Sequence, residues 1–154
     1  MLRLNRLTDY AIVAMSKMSH SPDDVRTTTQ ISLETAVPMP TIAKLLNALV
    51  KGGLVLSHRG ASGGYTLSRS AEEITAADII QAVEGPISLT ACVEGSDEEC
   101  GIQFDCPMSG NWNKVNEAIH KALNEVTLAE LGTPHTPKSV SKSTPQNSRQ
   151  QSAN

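Results

Sequence analysis

One short segment, Cys92 to Cys106, holds all three cysteines of this 154-residue chain. Seven residues separate Cys92 from Cys100 and five separate Cys100 from Cys106. The intervals carry acids (Glu94, Asp97, Glu98, Glu99, Asp105) and glycines (Gly95, Gly101). So little apolar surface cannot offset the entropy of ordering the segment by burial. The chain must therefore fold around a polar loop that something other than a core holds in place.

The length suits one domain of about 100–150 residues with some extra chain. Aromatic residues make up 3% of the sequence, so the core has to be built from Leu, Ile, Val, Ala and Met. No apolar run approaches the roughly 18 residues a membrane span requires. The N-terminus, MLRLNRLTDY, lacks the apolar region of a signal peptide and enters a helical pattern at once. These features point to a soluble cytoplasmic protein, where cysteines serve as metal ligands or redox sensors more often than as disulfides. The net charge of −3 conceals an asymmetry: residues 1–70 balance at +4, residues 71–131 at −10 and residues 132–154 at +3. The basic first part is the section suited to facing phosphates, with the acidic part turned away.

Apolar residues at Leu7, Tyr10, Ala11, Ala14, Met15 and Met18 have the spacing of an amphipathic helix running to His20, with Thr8 as its expected N-cap. Ser21-Pro22-Asp23-Asp24 ends it. Thr28-Thr29 opens a short helix to about Ala36, with Ile31 and Leu33 expected partly inward, and Val37-Pro38 breaks it. The next helix starts at Pro40, buries Ile42, Leu45, Leu46, Leu49 and Val50, and stops at Gly52-Gly53. Thr41, Lys44, Asn47 and Lys51 are left facing outward. Two short helices joined by a tight turn, the second with a polar and basic outer face, form a helix-turn-helix pattern.

Leu54 to Ser57 and Tyr65 to Ser68 then read as short strands around His58-Arg59-Gly60-Ala61-Ser62-Gly63-Gly64, a wing whose tip carries one arginine. A nucleotide-binding glycine loop would need a helix directly after it, and a strand pattern follows instead. Thr75 and Asp78 form a capping box for a helix bearing Ile79, Ile80 and Val83, closed by Gly85-Pro86. From Asn111 to Leu131 runs the longest periodic segment, with Val115, Ile119, Ala122, Val126 and Ala129 on a seam suited to a partner helix. Homodimerisation through this helix is expected; packing on its own domain alone is the rival reading. Beyond Gly132 the sequence is polar, rich in Pro and Ser, and reads as a disordered tail. The fold class is thus mainly α with a small β-wing. Residues 1–70 form a winged helix-turn-helix region, 71–131 a cysteine loop with a long dimerisation helix, and 132–154 a tail.

Several motifs together resemble the IscR/NsrR type of winged-helix transcription regulator. They are Leu7-Thr8-Asp9-Tyr10-Ala11, the wing from His58 to Tyr65, the three cysteines, and Val126-Thr127-Leu128-Ala129-Glu130-Leu131. Glu84 to Cys92, Cys106-Pro107 and Asn111-Trp112 are similar to the branch that regulates the SUF iron–sulfur assembly operon. The resemblance implies a homodimer on a palindromic operator in double-stranded DNA, sensing iron–sulfur status, oxidants or nitric oxide through a cluster. IscR-type members carry a histidine three residues after the third cysteine; here that position is Ser109. NsrR-like members recruit an N-terminal aspartate of the other subunit, which makes Asp9 the candidate fourth ligand, although an acid there also suits a helix N-terminus. Pro40 and Ala43 replace polar residues of the IscR reading helix, so its operator sequence is not carried over.

Cluster iron is held by thiolates, usually four, so Cys92, Cys100 and Cys106 leave one position for an oxygen or nitrogen donor. Nuclearity, 2Fe–2S or 4Fe–4S, stays open. Zinc accepts cysteines too, but usually in Cys-x-x-Cys pairs that this chain lacks. Disulfide-based thiol sensing without a cluster is a third use of the same residues. At the DNA face, Thr41 and Lys44 are expected in the major groove, Arg59 with Gly60 at the minor groove, and Thr28 and Thr29 at a phosphate. In the bland alternative Lys44 is merely solvated and Thr28 merely caps. The histidines (His20, His58, His120, His135) are scattered and no catalytic constellation stands out, so an enzyme is not expected. The leading function is a cluster-sensing transcription regulator, a repressor of SUF genes. A nitric-oxide- or iron-responsive repressor of the same family, or an iron–sulfur carrier without DNA recognition, are the alternatives.

Overall fold

The computed structural model describes residues 3–98, 100–102 and 105–133. The tail from residue 134, together with Glu99, Gln103 and Phe104, lies outside the described residues, and so does most of the segment expected to be disordered. In chain order the elements are α1 (Arg6–Ser19), α2 (Thr28–Thr35), α3 (Met39–Lys51), β1 (Val55–His58), β2 (Gly64–Leu67), α4 (Ala76–Glu84), α5 (Asn113–Asn124) and α6 (Leu128–Leu131). The mainly helical fold with a small wing is as the sequence implies.

α1 is the central post. Ala11, Ala14, Met15 and Met18 are buried along one face, and α2, α3, α4 and α6 all pack against it. Among the described residues no aromatic side chain is buried, and the core is aliphatic as the composition requires. The N-cap of α1 is Asn5, whose Oδ1 accepts the Leu7 N–H at 3.1 Å, and not Thr8. Thr8 lies inside the first turn, fully buried, and donates its hydroxyl to Glu84 at the end of α4. The Asn5 N–H donates to the same carboxylate at 2.9 Å. A residue type that favours caps is thus used as a tertiary tie, because a buried hydroxyl needs a partner.

α2 opens with a capping box between Thr27 and Gln30 and ends on Ala36 in the left-handed region, φ 57°. Only Ile31 of this helix is buried, while Leu33 is 79% exposed, against the expectation that both face inward. Two positions along a helix turn a side chain about 200°, so a helix this short cannot bury both. α3 begins one residue earlier than expected, at Met39, which places Pro40 at the second position, where the N–H is still unpaired and its loss is harmless. Ile42, Leu45, Leu46 and Leu49 are buried as predicted, and Val50 is half-buried.

The strands pair antiparallel in the register Val55↔Leu67 to His58↔Gly64. A third piece of extended chain joins them. Arg26, just before α2, donates its N–H to the Tyr65 carbonyl at 3.0 Å and accepts the Tyr65 N–H at 2.9 Å. The close approach requires Gly64, because a Cβ there would lie 2.7 Å from the Arg26 carbonyl oxygen. The wing is therefore fastened to the start of the helix-turn-helix.

The Thr75–Asp78 capping box of α4 forms as expected. The periodic segment 111–131 divides into α5 and α6, with a third capping box, between Thr127 and Glu130, starting the latter. The break has a backbone cause. The Val126 carbonyl accepts the Ala76 N–H and the Leu128 N–H donates to the Ile74 carbonyl, both at 2.8 Å, which takes these groups out of a helical ladder. Leu128 is then 1% exposed in the core beside α1. At the start of α5, its N-cap residue Trp112 and Val115 in its first turn remain 41% and 43% exposed.

Candidate nucleic-acid interface and metal centre

The first candidate surface lies at the wing. His58, Arg59, Gly60, Ala61 and Ser62 are all exposed, and the tip is closed by the Gly63 N–H to the Gly60 carbonyl at 3.0 Å. Between this tip and the N-terminus of α2 is an open notch of about 390 Å³, lined among others by Thr27, Thr28, His58, Arg59 and Gly60. Thr28, Arg59 and Gly60 are thereby brought together. Thr29 is not part of the notch; its hydroxyl faces the Met39 sulfur at 3.7 Å. On α3, Thr41 is half-buried and Lys44 exposed, the latter in a shallow groove shared with Asn47, Lys51 and Gln81.

The arginines of the basic region divide by partner. Arg26 pairs with Glu34, and Arg69 reaches Asp78 at 2.7 Å. Arg59 has no ion pair among the described residues and projects from the wing with its charge uncommitted. Burial alone would raise the Asp78 carboxyl, but hydrogen bonds from Thr75 and Arg69 outweigh it and hold this group below the usual carboxylate range. His58, which sequence reasoning left without a role, sits beside Arg59 with Nε2 2.9 Å from the Thr66 hydroxyl.

The second candidate site is the loop between α4 and α5. Cys92, Cys100 and Cys106 are all free thiols and all half-buried. Cys92 lies 3.2 Å from the Thr90 hydroxyl. Among the described residues no three side chains of the His, Cys, Asp and Glu types are gathered closely enough to hold one metal ion. Asp9 is exposed in the first turn of α1. The donor set nevertheless fits a thiolate-bound group: three unpaired thiols in one loop, one with a hydroxyl at hydrogen-bond distance from its sulfur, match three positions of an iron–sulfur cluster.

Sequence reasoning missed what holds the near end of this loop. Asn116, buried on α5, donates to the Ile87 carbonyl and accepts the Leu89 N–H, both at 3.1 Å. The Asn113 side chain accepts the Glu94 N–H at 3.1 Å. A signal was present: Asn116 interrupts a stripe of apolar residues formed by Trp112, Ile119 and Leu123.

A helix-turn-helix whose reading helix is followed by a two-stranded wing, with a free arginine at its tip, defines a winged-helix DNA-binding protein. Among the described residues no helix is long and apolar enough to cross a membrane. Comparison with known proteins narrows the class. The chain belongs to the Rrf2 family, described as iron-dependent transcriptional regulators, which matches residues 4–134. The HTH-type transcriptional regulators IscR of Yersinia enterocolitica and Serratia proteamaculans are each 34% identical over 131 residues, covering 84% of this chain and 79% of theirs. Among solved structures, CymR of B. subtilis, named as its global cysteine regulator, is 29% identical with a TM-score of 0.63, covering 86% of this chain and 97% of its own. T. potens IscR is 27% identical with a TM-score of 0.58, covering 84% and 85%. The protein is an IscR-type DNA-binding transcription regulator, and not an enzyme.

Proposed function

We propose that this regulator senses an iron–sulfur cluster held by Cys92, Cys100 and Cys106 and represses the SUF cluster-assembly genes. The observation that carries the reading is the set of three free, half-buried thiols in one loop, placed between α4 and α5. α4 packs on the reading helix α3 closely enough that a Cβ on Gly52 would meet the Ala82 Cβ at 2.5 Å. Two residues further on, the last residue of α4, Glu84, is tied to the first turn of α1, the turn that carries Asp9. When bound, a cluster joins the three thiolates into one unit and so orders the loop against α5. The exposed Trp112 and Val115 suit a second copy, giving a homodimer on a palindromic operator, with Asp9 of the partner copy as fourth ligand.

In this reading residues 1–70 meet the DNA, residues 71–131 sense and dimerise, and the protein works in the cytoplasm beside its DNA. Arg59 and Gly60 approach the minor groove, Thr28 and Thr29 a phosphate, and Thr41 and Lys44 the major groove. Ordering the loop biases the separation of the two reading helices, which has to match half-sites about 34 Å apart. The test is anaerobic purification with iron and sulfide counted per dimer and the absorption spectrum recorded. Binding of loaded and cluster-free protein to SUF promoter DNA of the same genome is then measured across a salt series. Iron and sulfide in equal amounts, with salt-dependent and promoter-preferring binding that changes on cluster loss, is the expected result. Stoichiometric zinc without sulfide, or binding identical with and without the cluster, overturns the sensing role.

A further inference from the structure

The two ends of the cysteine loop are not held alike. Around Cys92 the chain is clamped by long-range contacts. The Asn116 amide spans the Ile87 carbonyl and the Leu89 N–H, and Asn113 takes the Glu94 N–H, so that three points of attachment bracket Cys92. Val93, next to it, is 5% exposed, and the Cys92 sulfur has the Thr90 hydroxyl beside it. Past Gly95 the pattern changes. The hydrogen bonds of Glu98, Asp105, Ser109 and Asn111 all go to near neighbours in sequence, and Ile102 and Met108 are 68% and 50% exposed. Cys100 and Cys106 sit in this part, where among the described residues no long-range hydrogen bond holds the chain.

We propose that Asn116, seconded by Asn113, fixes Cys92 in position before any cluster arrives. Cys92 is then the standing ligand, and Cys100 and Cys106 are gathered around it. The inference rests on the cluster reading above and adds to it an order of events. A buried amide is unfavourable unless both its donor and its acceptor are used, and on this stripe of α5 an apolar side chain would pack without that demand. Both functions of the Asn116 amide are used, and both on the segment that leads into Cys92. Asn116 is thus a positioning residue: fixing one thiolate in advance lowers the ordering entropy that the arriving group must overcome. It also makes Cys92 the point at which loss or gain of a cluster is felt by α5.

The test is alkylation of cluster-free protein under reducing conditions, with the rate at each cysteine read by mass spectrometry of peptides. In the wild type Cys92 is expected to react more slowly than Cys100 and Cys106, because its labelling waits for local opening. Asn116→Ala is expected to speed Cys92 by about tenfold or more while leaving the other two within about twofold, as follows from losing its two hydrogen bonds. Asn113→Ala, which leaves the Asn116 contacts in place, gives a smaller rise at the same cysteine and serves if Asn116→Ala does not fold. Equal rates at all three cysteines in the wild type, or a uniform rise in the variants, overturns the latch. Since no cluster is present, this readout is independent of the sensing proposal. A Cys92-selective rise in a chain that takes up no iron or sulfide would retire the ligand role and leave a structural clamp.

Discussion

Gly64→Ala isolates the fastening of the wing to the helix-turn-helix. A Cβ at this position would stand 2.7 Å from the Arg26 carbonyl oxygen, 2.9 Å from its carbonyl carbon and 2.9 Å from Val25 Cγ1. Two of these neighbours are backbone, so the strand at Arg26 has to retreat. Retreat breaks the reciprocal pair with Tyr65, at 3.0 and 2.9 Å. Each such bond contributes about 0.5–1.5 kcal/mol net, so the bridge weakens by about 1–3 kcal/mol, on the order of 5- to 150-fold in its opening equilibrium. Core amides such as Leu46 and Leu49, whose hydrogen bonds lie within α3, are spared most of this effect. Amide hydrogen exchange at Tyr65 reads the bridge, and fluorescence anisotropy with labelled promoter DNA reads the consequence. Protection at Tyr65 is expected to fall by tenfold or more. Affinity should drop as well, because Arg59 and Gly60 would no longer be fixed opposite Thr28. Unchanged protection would refute the steric argument; lost protection with unchanged affinity would refute the claim that DNA binding needs the wing tied down.

Leu128→Ala should destabilise the fold by about 2–5 kcal/mol, as buried leucine truncations do, and urea unfolding followed by circular dichroism checks it. Arg59→Ala should weaken DNA binding with little change in stability and flatten the dependence of log affinity on log salt by about one unit, measured by anisotropy at several salt concentrations. Two capping carboxylates give the stability an acid edge. Thr75 and Arg69 hold Asp78 low against the opposing effect of burial, and the Thr127 backbone N–H and hydroxyl hold Glu130 low. Both groups therefore contribute above the unfolded carboxylate range, about pH 4, and the contribution is lost as pH falls through their folded values. Urea midpoints should hold steady from neutrality to about pH 5 and then decline, and Asp78→Asn with Glu130→Gln should lower the neutral plateau and shallow the decline.

The parts of the fold legible in the sequence are those written in local signals. The α3 stripe from Ile42 to Leu49, the glycine-rich tip and the Thr75–Asp78 box each depend on residues a few positions apart, and each is found where the pattern puts it, within a residue or two. Features that depend on distant partners were not legible. Thr8 reads as a cap until Glu84, 76 positions away, supplies a buried acceptor. The periodicity of 111–131 continues unbroken through Thr127, and only the Ala76 and Ile74 backbones explain why one helix becomes two. At the candidate sites, sequence pointed to the cysteines and to Arg59, whose type and setting are distinctive. It passed over Asn113 and Asn116, whose roles exist only through backbone groups on either side of Cys92.

The bridge between Thr75 and Thr127 has a wider consequence. The chain leaves the DNA-reading core and returns to it at adjacent points, so everything between α4 and Val126 is an excursion with a closed base. Closing a longer or shorter loop on such a base changes the entropy only slowly, by about 0.6 kcal/mol for each doubling. The base thus works as a socket: the cysteine segment can be lengthened, trimmed or exchanged for a differently equipped loop while the reading head keeps its register. A chimaera carrying a different loop between Gly95 and Cys106 is expected to inherit the address on the DNA.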